Sequence, residues 1–209
     1  MIRIYHVAGT RSVRVIWLCE ELGLPYEKVA VDFSPAYRAT PEWRRLNPVG
    51  KVPVLVDDDV TMFESGAMVE HLLDRHGAGR LRPPPGTAER AAYLQWSWFA
   101  EATFARPLGE IVNHRREFPG ESEIPAVLEE MSARAALCVQ ALDEALAGRQ
   151  YLLGDEFTAA DVMMGYSVLL ARALGIEGAR AGRVGAYFDV LARRSGYPAA
   201  TADLPDAWR

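Results

Sequence analysis

Two short apolar runs, separated by three aspartates, predict a β-hairpin in the first half of the chain. Val52–Val56 and Val60–Phe63 are rich in β-branched residues, and Asp57-Asp58-Asp59 between them supplies turn residues. Apolar residues at three- and four-residue spacing follow at once and predict a helix with Ser65 as its N-cap. Strand, turn, strand and helix therefore follow one another across residues 47–73 with no room for a long loop.

Pro53 and Ser65 are the residues of this stretch that suit a ligand. Proline cannot donate to a strand ladder, so Pro53 belongs at a strand start or edge, and a cis Val52-Pro53 bond is expected to turn the backbone N–H and C=O of Val52 outward. A helix N-terminus with free N–H groups and a serine hydroxyl favours a carboxylate. Each feature alone is also ordinary turn or cap chemistry. Together they suit a ligand that is both a peptide and an acid.

The residues before this stretch predict a strand, a helix and a second strand. Ile2–Val7 is the first strand, a helical pattern begins at Ser12, and Gly23 with Pro25 ends it. Residues 27–33 alternate between apolar and polar and predict a second strand, parallel to the first because a helix connects them. The order β-α-β, an irregular or helical link and then β-β-α is the thioredoxin-like arrangement with a mixed sheet.

A glycine- and proline-rich stretch, Gly77–Gly86, marks a domain boundary because its three consecutive prolines cannot continue a helix. The residues beyond it show helical periodicity and almost no strand signal, whereas the tail after Ser195 is expected to be irregular. The fold class is therefore α/β plus all-α, a thioredoxin-like N-terminal domain followed by an all-helical C-terminal domain. The expected limits are 1–78 for the first domain, 79–86 for the linker and 87–209 for the helical domain.

One helix of the second domain begins with a recognisable cap. Thr158 and Asp161 have the spacing of a capping box, with Asp standing where Glu or Gln is commoner. A long apolar segment follows, which predicts a buried helix.

Charge and hydropathy exclude several classes of protein. The 209 residues are 50% hydrophobic, enough for a sizeable core, and carry a formal net charge of −5. Lys and Arg form no long cluster, so neither nucleic acid nor an anionic membrane is an expected partner. No apolar run approaches the ~20 residues of a membrane span, and Met1–Tyr5 begins a strand rather than a signal peptide. We therefore expect a cytoplasmic protein.

The two cysteines, Cys19 and Cys138, each lie inside an apolar helical pattern. They form no Cys-x-x-C motif and no Cys/His spacing typical of a metal site, so we expect no bound metal and two small buried hydrophobic side chains. The junction after the first strand, Ala8–Ser12, has no thiol. A redox centre of the thioredoxin type is therefore not expected there.

Three short motifs of the central stretch resemble the glutathione-binding half of the cytosolic glutathione S-transferase family. They are Asn47-Pro48, Gly50-Lys51-Val52-Pro53 and Glu64-Ser65-Gly66-Ala67. Trp17–Glu27 is similar to the first-helix signature of bacterial and fungal transferases of this kind, and the domain order extends the resemblance to nearly the whole chain. The resemblance implies a detoxifying homodimer that uses glutathione as co-substrate, without a metal, together with a small hydrophobic electrophile.

The resemblance also implies a role for each residue of the half-site. Val52 would pair through its backbone with the cysteinyl part of glutathione, and Pro53 would set that geometry. Glu64 and Ser65 would hold the γ-glutamyl amine and carboxylate. Lys51 would lie near a carboxylate of the tripeptide.

Thr10 and Ser12 are the candidates for the group that activates the thiol. A thiolate is the nucleophile, and a free thiol with a pKa near ~8.5 is mostly protonated at neutral pH. The family uses a Tyr, Ser or Cys near the end of the first strand. Matching Arg14 to the arginine often found in the first helical turn places Thr10 at the Ser position of the serine-type enzymes, with Ser12 as second choice. Threonine departs from that pattern because its methyl group restricts χ1, and either residue is equally suited to cap the first helix.

The helix after the linker is unusually aromatic, and the second substrate is expected against it, between the domains. Its candidate residues are Trp98, Phe99 and Phe104, although aromatic residues at helical spacing also pack in cores.

Three functions stay open at this point. The first is a transferase that directs the thiolate at an electrophile or reduces an organic hydroperoxide. The second is a glutathione-dependent isomerase, which the lack of a Ser-Ser-Cys-like motif at residues 10–12 disfavours. The third is a non-catalytic interaction module, and the set Lys51, Val52, Glu64 and Ser65 favours ligand binding over it.

Overall fold

The computed structural model describes residues 1–205 and residue 208. These residues form two compact units, one made of Met1–Leu81 with the segment that starts at Arg194, the other of Arg82–Arg193. The change from one unit to the other, between Leu81 and Arg82, lies inside the stretch rich in glycine and proline.

The first unit is built on a four-stranded mixed sheet. Its elements up to the linker are β1 Ile2–His6, α1 Ser12–Leu22, β2 Tyr26–Ala30, α2 Pro35–Arg38, α3 Pro41–Leu46, β3 Val54–Asp57, β4 Val60–Met62 and α4 Ser65–His76. The strand order is β2-β1-β3-β4, with β1 parallel to β2 and antiparallel to β3, and β3 antiparallel to β4. This topology confirms the predicted thioredoxin-like arrangement.

The core of this unit joins the sheet to α1 and α4. Ile4 on β1 pairs with Leu55 on β3, and neither side chain has any exposed surface. Leu18 on α1 and Leu72 on α4 are equally buried. Because burying a side chain of this size contributes about 1.5–3 kcal/mol, these apolar faces hold the helices on the sheet.

The hairpin turn is one residue shorter than predicted. Asp57 is the last residue of β3 and pairs with Val60, which leaves Asp58 and Asp59 as the turn. Asp58 has a φ of 53°, in the left-handed region that aspartate tolerates better than most residues.

The tail contains a helix, so the prediction of an irregular tail was wrong. Gly196–Thr201 forms a helix, α10, which packs on α1. The composition of this six-residue segment, with its glycine and proline, does not predict a helix. The helix forms because packing on α1 stabilises it. The rings of Trp17 and Tyr197 meet edge to face with centroids 5.1 Å apart, and Arg194 Nη2 donates to Glu21 Oε2 at 2.7 Å. The segment therefore belongs to the first unit, although the sequence pattern assigned it to the helical domain.

The second unit is helical throughout its regular elements. They are α5 Ala88–Trp98, a π-helical segment Phe99–Phe104, α6 Ala105–Glu117, a 3₁₀ turn Gly120–Ser122, α7 Pro125–Ala145, α8 Ala159–Ala173 and α9 Gly182–Ala192. Pro107 falls in the first turn of α6, directly after the π-helical segment, and the helix continues past it. A proline costs little in a first turn, so it does not end the helix.

α8 is the central helix of this unit, and its residues from Ala159 to Ala171 are buried on every side. The predicted capping box is present at its start. Asp161 Oδ2 accepts the Thr158 backbone N–H at 2.8 Å. Its Oδ1 accepts the Leu152 backbone N–H at 2.9 Å and the Tyr187 hydroxyl at 3.0 Å. This buried carboxylate therefore joins the helix start to the preceding loop and to α9.

Candidate functional site

The loop that leads into β3 is held by a buried asparagine. The Asn47 side chain is 2% exposed; its Oδ1 accepts the Val49 backbone N–H at 3.1 Å, and its Nδ2 donates to the Lys51 carbonyl at 2.9 Å. Gly50 has a φ of 65°, and a Cβ there would lie 2.7 Å from the Arg38 carbonyl oxygen. The motif Asn-Pro-x-Gly-Lys therefore specifies one loop conformation.

Val52 and Pro53 end this loop. Their peptide bond is cis, the form in which the backbone of Val52 was expected to turn outward. Pro53 is buried, Val52 is half-buried and Lys51 is exposed. Within the described residues, no hydrogen bond engages the backbone N–H or C=O of Val52. Both backbone groups are therefore available to an extended ligand.

Glu64, rather than Ser65, is the N-cap of α4. Glu64 has a φ of 75° and no side-chain capping bond, and its carbonyl already accepts the Met68 N–H at 2.9 Å. The prediction of Ser65 as the cap was wrong. Glu64, whose φ is positive, takes that position, so the helix begins one residue earlier than the serine pattern indicates. Glu64 is exposed, and such a conformation is costly for a residue with a Cβ.

Ser65 lies in the first turn of α4 and is 3% exposed. Its Oγ accepts a hydrogen bond from Arg14 Nη1 at 3.2 Å. Arg14 belongs to the first turn of α1 and has no exposed surface. A buried guanidinium thus lies where the first turns of two helices meet, and this region favours an anion.

The junction between β1 and α1 carries Thr10. Thr10 is half-buried, and its hydroxyl donates to the Val7 carbonyl at 2.7 Å. The N-cap of α1 is Arg11, which makes no side-chain capping bond. Neither Thr10 nor Ser12 therefore acts as the N-cap of the helix, and capping no longer competes with a role in binding.

Ser12 is turned inward and has no exposed surface. Its Oγ lies 2.8 Å from Thr10 Oγ1 and 2.6 Å from His6 Nδ1. The other ring nitrogen of His6, Nε2, lies 2.7 Å from Asp203 Oδ2, which also accepts from Lys28 Nζ at 2.9 Å. Of the two candidate donors, Thr10 is the one with exposed surface.

Sequence patterns offered little indication of His6 and Asp203. His6 reads as a polar residue at the end of a strand, and Asp203 lies in a tail that was expected to be irregular. The two residues are 197 positions apart, and no motif connects them. Only the packing of the C-terminal segment on the first unit brings them together.

The environments of His6 and Asp203 shift their pKa values. Burial lowers the pKa of His6, which outweighs the opposite effect of the Asp203 carboxylate. Burial alone would raise the pKa of Asp203, but the hydrogen bonds from Lys28 and His6 hold it below its ordinary value. At neutral pH, His6 is therefore a neutral imidazole next to the ionised carboxylate of Asp203.

The cysteines are buried, as predicted, at 0% exposure for Cys19 and 8% for Cys138. Burial raises the pKa of Cys19 to about 12, so it stays a thiol. In the part of the chain that the structure describes, no cluster of three or more His, Cys, Asp or Glu side chains is arranged to hold a metal ion. Among the same residues, no helix is both long and apolar enough to span a membrane.

The three aromatic candidates of the helical unit differ in exposure. Trp98, at the end of α5, is 63% exposed, whereas Phe104 has no exposed surface. Phe99 is half-buried and meets Trp96 edge to face with centroids 5.3 Å apart. Phe104, the last residue of the π-helical segment, is therefore a core residue and not part of an open pocket.

The sequence and the fold resemble those of known proteins. Residues 2–74 match the family described as glutathione S-transferase, N-terminal domain. Glutathione S-transferase 3 of Schizosaccharomyces pombe is 32% identical over 82% of this chain and 75% of its own length.

Two solved structures extend the likeness to the whole fold. The glutathione transferase URE2P6 of Phanerochaete chrysosporium, in complex with oxidized glutathione, has a TM-score of 0.87 at 25% identity and covers 97% of this chain and 95% of its own. A glutathione transferase family member of Pseudomonas fluorescens with two glutathione molecules bound has a TM-score of 0.83 at 26% identity, over 96% and 92% of the two chains. The chain belongs to the glutathione S-transferase family.

Proposed function

We propose that this glutathione transferase binds glutathione at the end of the sheet where Val52, the first turn of α4 and Thr10 come together. The observation that carries this proposal is the pairing of Val54 with Tyr5, which runs the segment before β3 beside the end of β1. The bond from Arg14 to Ser65 brings the starts of α1 and α4 to the same place. One face of the first unit thus offers a free backbone, an anion site and a hydroxyl.

Each part of the tripeptide has a matching group on this face. Val52 offers the backbone N–H and C=O that pair with the cysteinyl residue, and Pro53 fixes that segment. Ser65 and the N–H groups of its helix suit the γ-glutamyl carboxylate, and the exposed Glu64 carboxylate suits the amine. Lys51, which is exposed, suits a carboxylate at the rim.

Thr10 is the group that we assign to thiol activation, because this residue is half-buried whereas Ser12 has no exposed surface. A hydrogen bond to a charged sulfur contributes roughly 1.5–3 kcal/mol, which lowers the thiol pKa by about one to two units. The thiolate then attacks a small hydrophobic electrophile, or reduces an organic hydroperoxide.

The test is an ultraviolet titration of the bound thiolate against pH on the parent protein and two variants. Thr10→Val keeps the shape of the side chain and removes the hydroxyl, whereas Thr10→Ser keeps the hydroxyl. We expect the bound thiol to have a pKa about one to two units below its free value in the parent and in Thr10→Ser, and close to the free value in Thr10→Val.

Two other outcomes would change the conclusion. An unshifted thiol pKa in the parent, with glutathione bound, would contradict activation by Thr10. Failure to bind glutathione at all would contradict the proposed site and favour a non-catalytic interaction module.

The second substrate is assigned to the exposed aromatic surface at the end of α5. Trp98 is 63% exposed, and an exposed aromatic side chain of this size suits an apolar ligand. We expect Trp98→Ala to raise KM for an apolar electrophile while the KM for glutathione stays unchanged. An unchanged KM for both substrates would contradict this assignment.

We also propose a cytoplasmic homodimer with a detoxifying role. Family membership supports this assignment. Light scattering after size exclusion should give twice the chain mass of 23.1 kDa. A single-chain mass would contradict the dimer.

A further inference from the structure

Four polar side chains form a continuous hydrogen-bonded row that runs from the candidate site through the interior of the first unit to the partly exposed Asp203. Thr10 Oγ1 lies 2.8 Å from Ser12 Oγ, which lies 2.6 Å from His6 Nδ1. His6 Nε2 lies 2.7 Å from Asp203 Oδ2. Ser12 and His6 are 0% and 4% exposed, so the row is screened from water everywhere except at its two ends. We call these four residues the relay.

The direction of each hydrogen bond follows from what each group can donate. An ionised carboxylate only accepts, so Asp203 Oδ2 takes the His6 Nε2–H and a proton of Lys28 Nζ. A neutral His6 then has a bare Nδ1, which accepts the Ser12 hydroxyl hydrogen. The Thr10 hydrogen has two acceptors within the protein, the Val7 carbonyl at 2.7 Å and Ser12 Oγ at 2.8 Å.

We propose that His6 receives the thiol proton of bound glutathione through the hydroxyls of Thr10 and Ser12, with Asp203 orienting the ring. This inference rests on the proposed function, because it requires the glutathione sulfur to lie at Thr10. His6 and Asp203 touch no substrate atom, so their role is to position the chain of hydroxyls and to hold the proton.

The transfer balances without any further reactant. The S–H bond of glutathione breaks and its proton binds Thr10 Oγ1, the Thr10 hydrogen passes to Ser12 Oγ, and the Ser12 hydrogen passes to His6 Nδ1. The S–H electron pair stays on sulfur. The products are a thiolate and an imidazolium, and both hydroxyls keep one hydrogen each.

The hydroxyls are left pointing the opposite way. His6 Nδ1–H now donates to Ser12, Ser12 donates to Thr10, and Thr10 donates to the thiolate that it helped to form. The charged groups that face the His6 ring are Asp203, beyond α10, and Lys28 on β2. Before glutathione binds, burial and Lys28 outweigh Asp203 and keep the pKa of His6 below its ordinary value. The thiolate formed at the other end of the row adds a negative charge, which favours the imidazolium.

The proposal differs from a purely structural role in where the proton goes. If the relay only holds the Thr10 side chain in position, each thiolate formed on binding releases one proton to the buffer. If His6 holds the proton, the thiolate forms and almost none is released. The count of protons per thiolate therefore separates the two roles.

The experiment combines two measurements at about pH 7, where a free His is mostly neutral and a free thiol protonated. Ultraviolet absorbance counts the thiolate formed when glutathione binds the parent protein. Isothermal titration calorimetry in two buffers of different ionisation enthalpy counts the protons released. We expect close to no proton per thiolate in the parent; one proton per thiolate would overturn the proposal.

Variants then localise the proton. His6→Gln retains an amide that reaches Asp203 but cannot take up a proton, and Ser12→Ala interrupts the row. Each should either release about one proton for every thiolate or form less thiolate than the parent. His76→Gln is the matched control, because His76 Nε2 also bonds a carboxylate, that of Asp57, at 2.8 Å outside the relay.

The outcomes separate this inference from the proposed function. If Thr10→Val abolishes the thiolate while the parent protein releases one proton per thiolate, the relay is overturned and the assignment of Thr10 stands. If Thr10→Val leaves the thiolate intact, both fail. If His6→Gln does not fold, NMR of protein labelled with ¹⁵N-histidine decides, since glutathione should convert one imidazole signal of the parent to imidazolium.

Discussion

The guanidinium of Arg14 donates to Ser65 Oγ at 3.2 Å and joins the first turns of α1 and α4 without any exposed surface of its own. A buried cation at this position does two things. It fixes the distance between two helix starts, and it adds positive charge to the region that we assign to the γ-glutamyl carboxylate.

Replacing Arg14 should therefore weaken both stability and binding. We expect Arg14→Met to lower the free energy of unfolding by about 2–4 kcal/mol, because it removes hydrogen bonds from a charged group and leaves space in the core. Urea unfolding measures this loss, and calorimetry measures the fall in glutathione affinity. The control is Arg134→Met, since Arg134 is 60% exposed and bonds Glu130 one turn away; its loss should cost at most about 0.5 kcal/mol. Equal effects of the two variants would contradict the role of Arg14.

Gly50 should be irreplaceable for a reason that Gly148 does not share. Both have positive φ, 65° and 69°, but a Cβ at Gly50 would lie 2.7 Å from the Arg38 carbonyl oxygen, whereas a Cβ at Gly148 would have no atom within 4 Å. Gly148→Ala should cost about 1 kcal/mol of conformational strain and leave glutathione binding unchanged. Gly50→Ala should cost more and should also weaken glutathione binding, as calorimetry would show. Matching losses of stability would mean that the Arg38 contact relaxes without cost.

Asp57 gives the first unit a predictable dependence on pH. Burial raises the pKa of this carboxyl, but hydrogen bonds from His76 and His71 outweigh burial and hold the pKa below its ordinary value. Both imidazole Nε2 atoms converge on Asp57 Oδ2, at 2.8 and 3.0 Å. A folded-state pKa below the unfolded value means that the stabilisation is present above the unfolded pKa, about 4, and is lost as pH falls through the folded value.

Asp57→Asn should therefore be less stable than the parent at neutral pH, and the difference should shrink as the pH falls below about 4. Urea unfolding across a pH series gives both quantities. Glu42→Gln is the control, since Glu42 is exposed on α3. A stability difference that is independent of pH would show that Asp57 acts through packing and not through its charge.

The parts of the fold that were predicted correctly are those carried by residues close together in the chain. The thioredoxin-like order and the capping box of Thr158 and Asp161 both depend on residues close together in the chain. Local chemistry decides such features, so a single sequence contains the information.

The parts that were missed depend on packing between distant residues. Gly196–Thr201 is a helix because it packs on α1, and its own composition argues against a helix. Asp203 reaches His6 through that same packing, 197 positions away. Phe104 reads like its neighbour Trp98 in the sequence, yet one is core and the other is surface. Periodicity gives the spacing of a helix but not the direction of each side chain.

Asp161 and Tyr187 provide the last prediction, which concerns the helical unit. Burial raises the pKa of Asp161 although four hydrogen bonds favour its carboxylate, and the Tyr187 hydroxyl is one of those donors, at 3.0 Å. Tyr187→Phe removes that donor and leaves the three others, so it should cost about 1–2 kcal/mol. Asp161→Ala leaves the Leu152 and Thr158 N–H groups and the Tyr187 hydroxyl without their acceptor, and should cost at least about 3 kcal/mol.

The double variant Asp161→Ala/Tyr187→Phe has no tyrosine hydroxyl left without an acceptor. Its loss of stability should therefore be smaller than the sum of the losses in the two single variants. Urea unfolding of the parent, both single variants and the double variant measures this coupling. Simple additivity would mean that the hydroxyl finds another acceptor when the carboxylate is removed, and that Asp161 stabilises the unit through its bonds to Leu152 and Thr158.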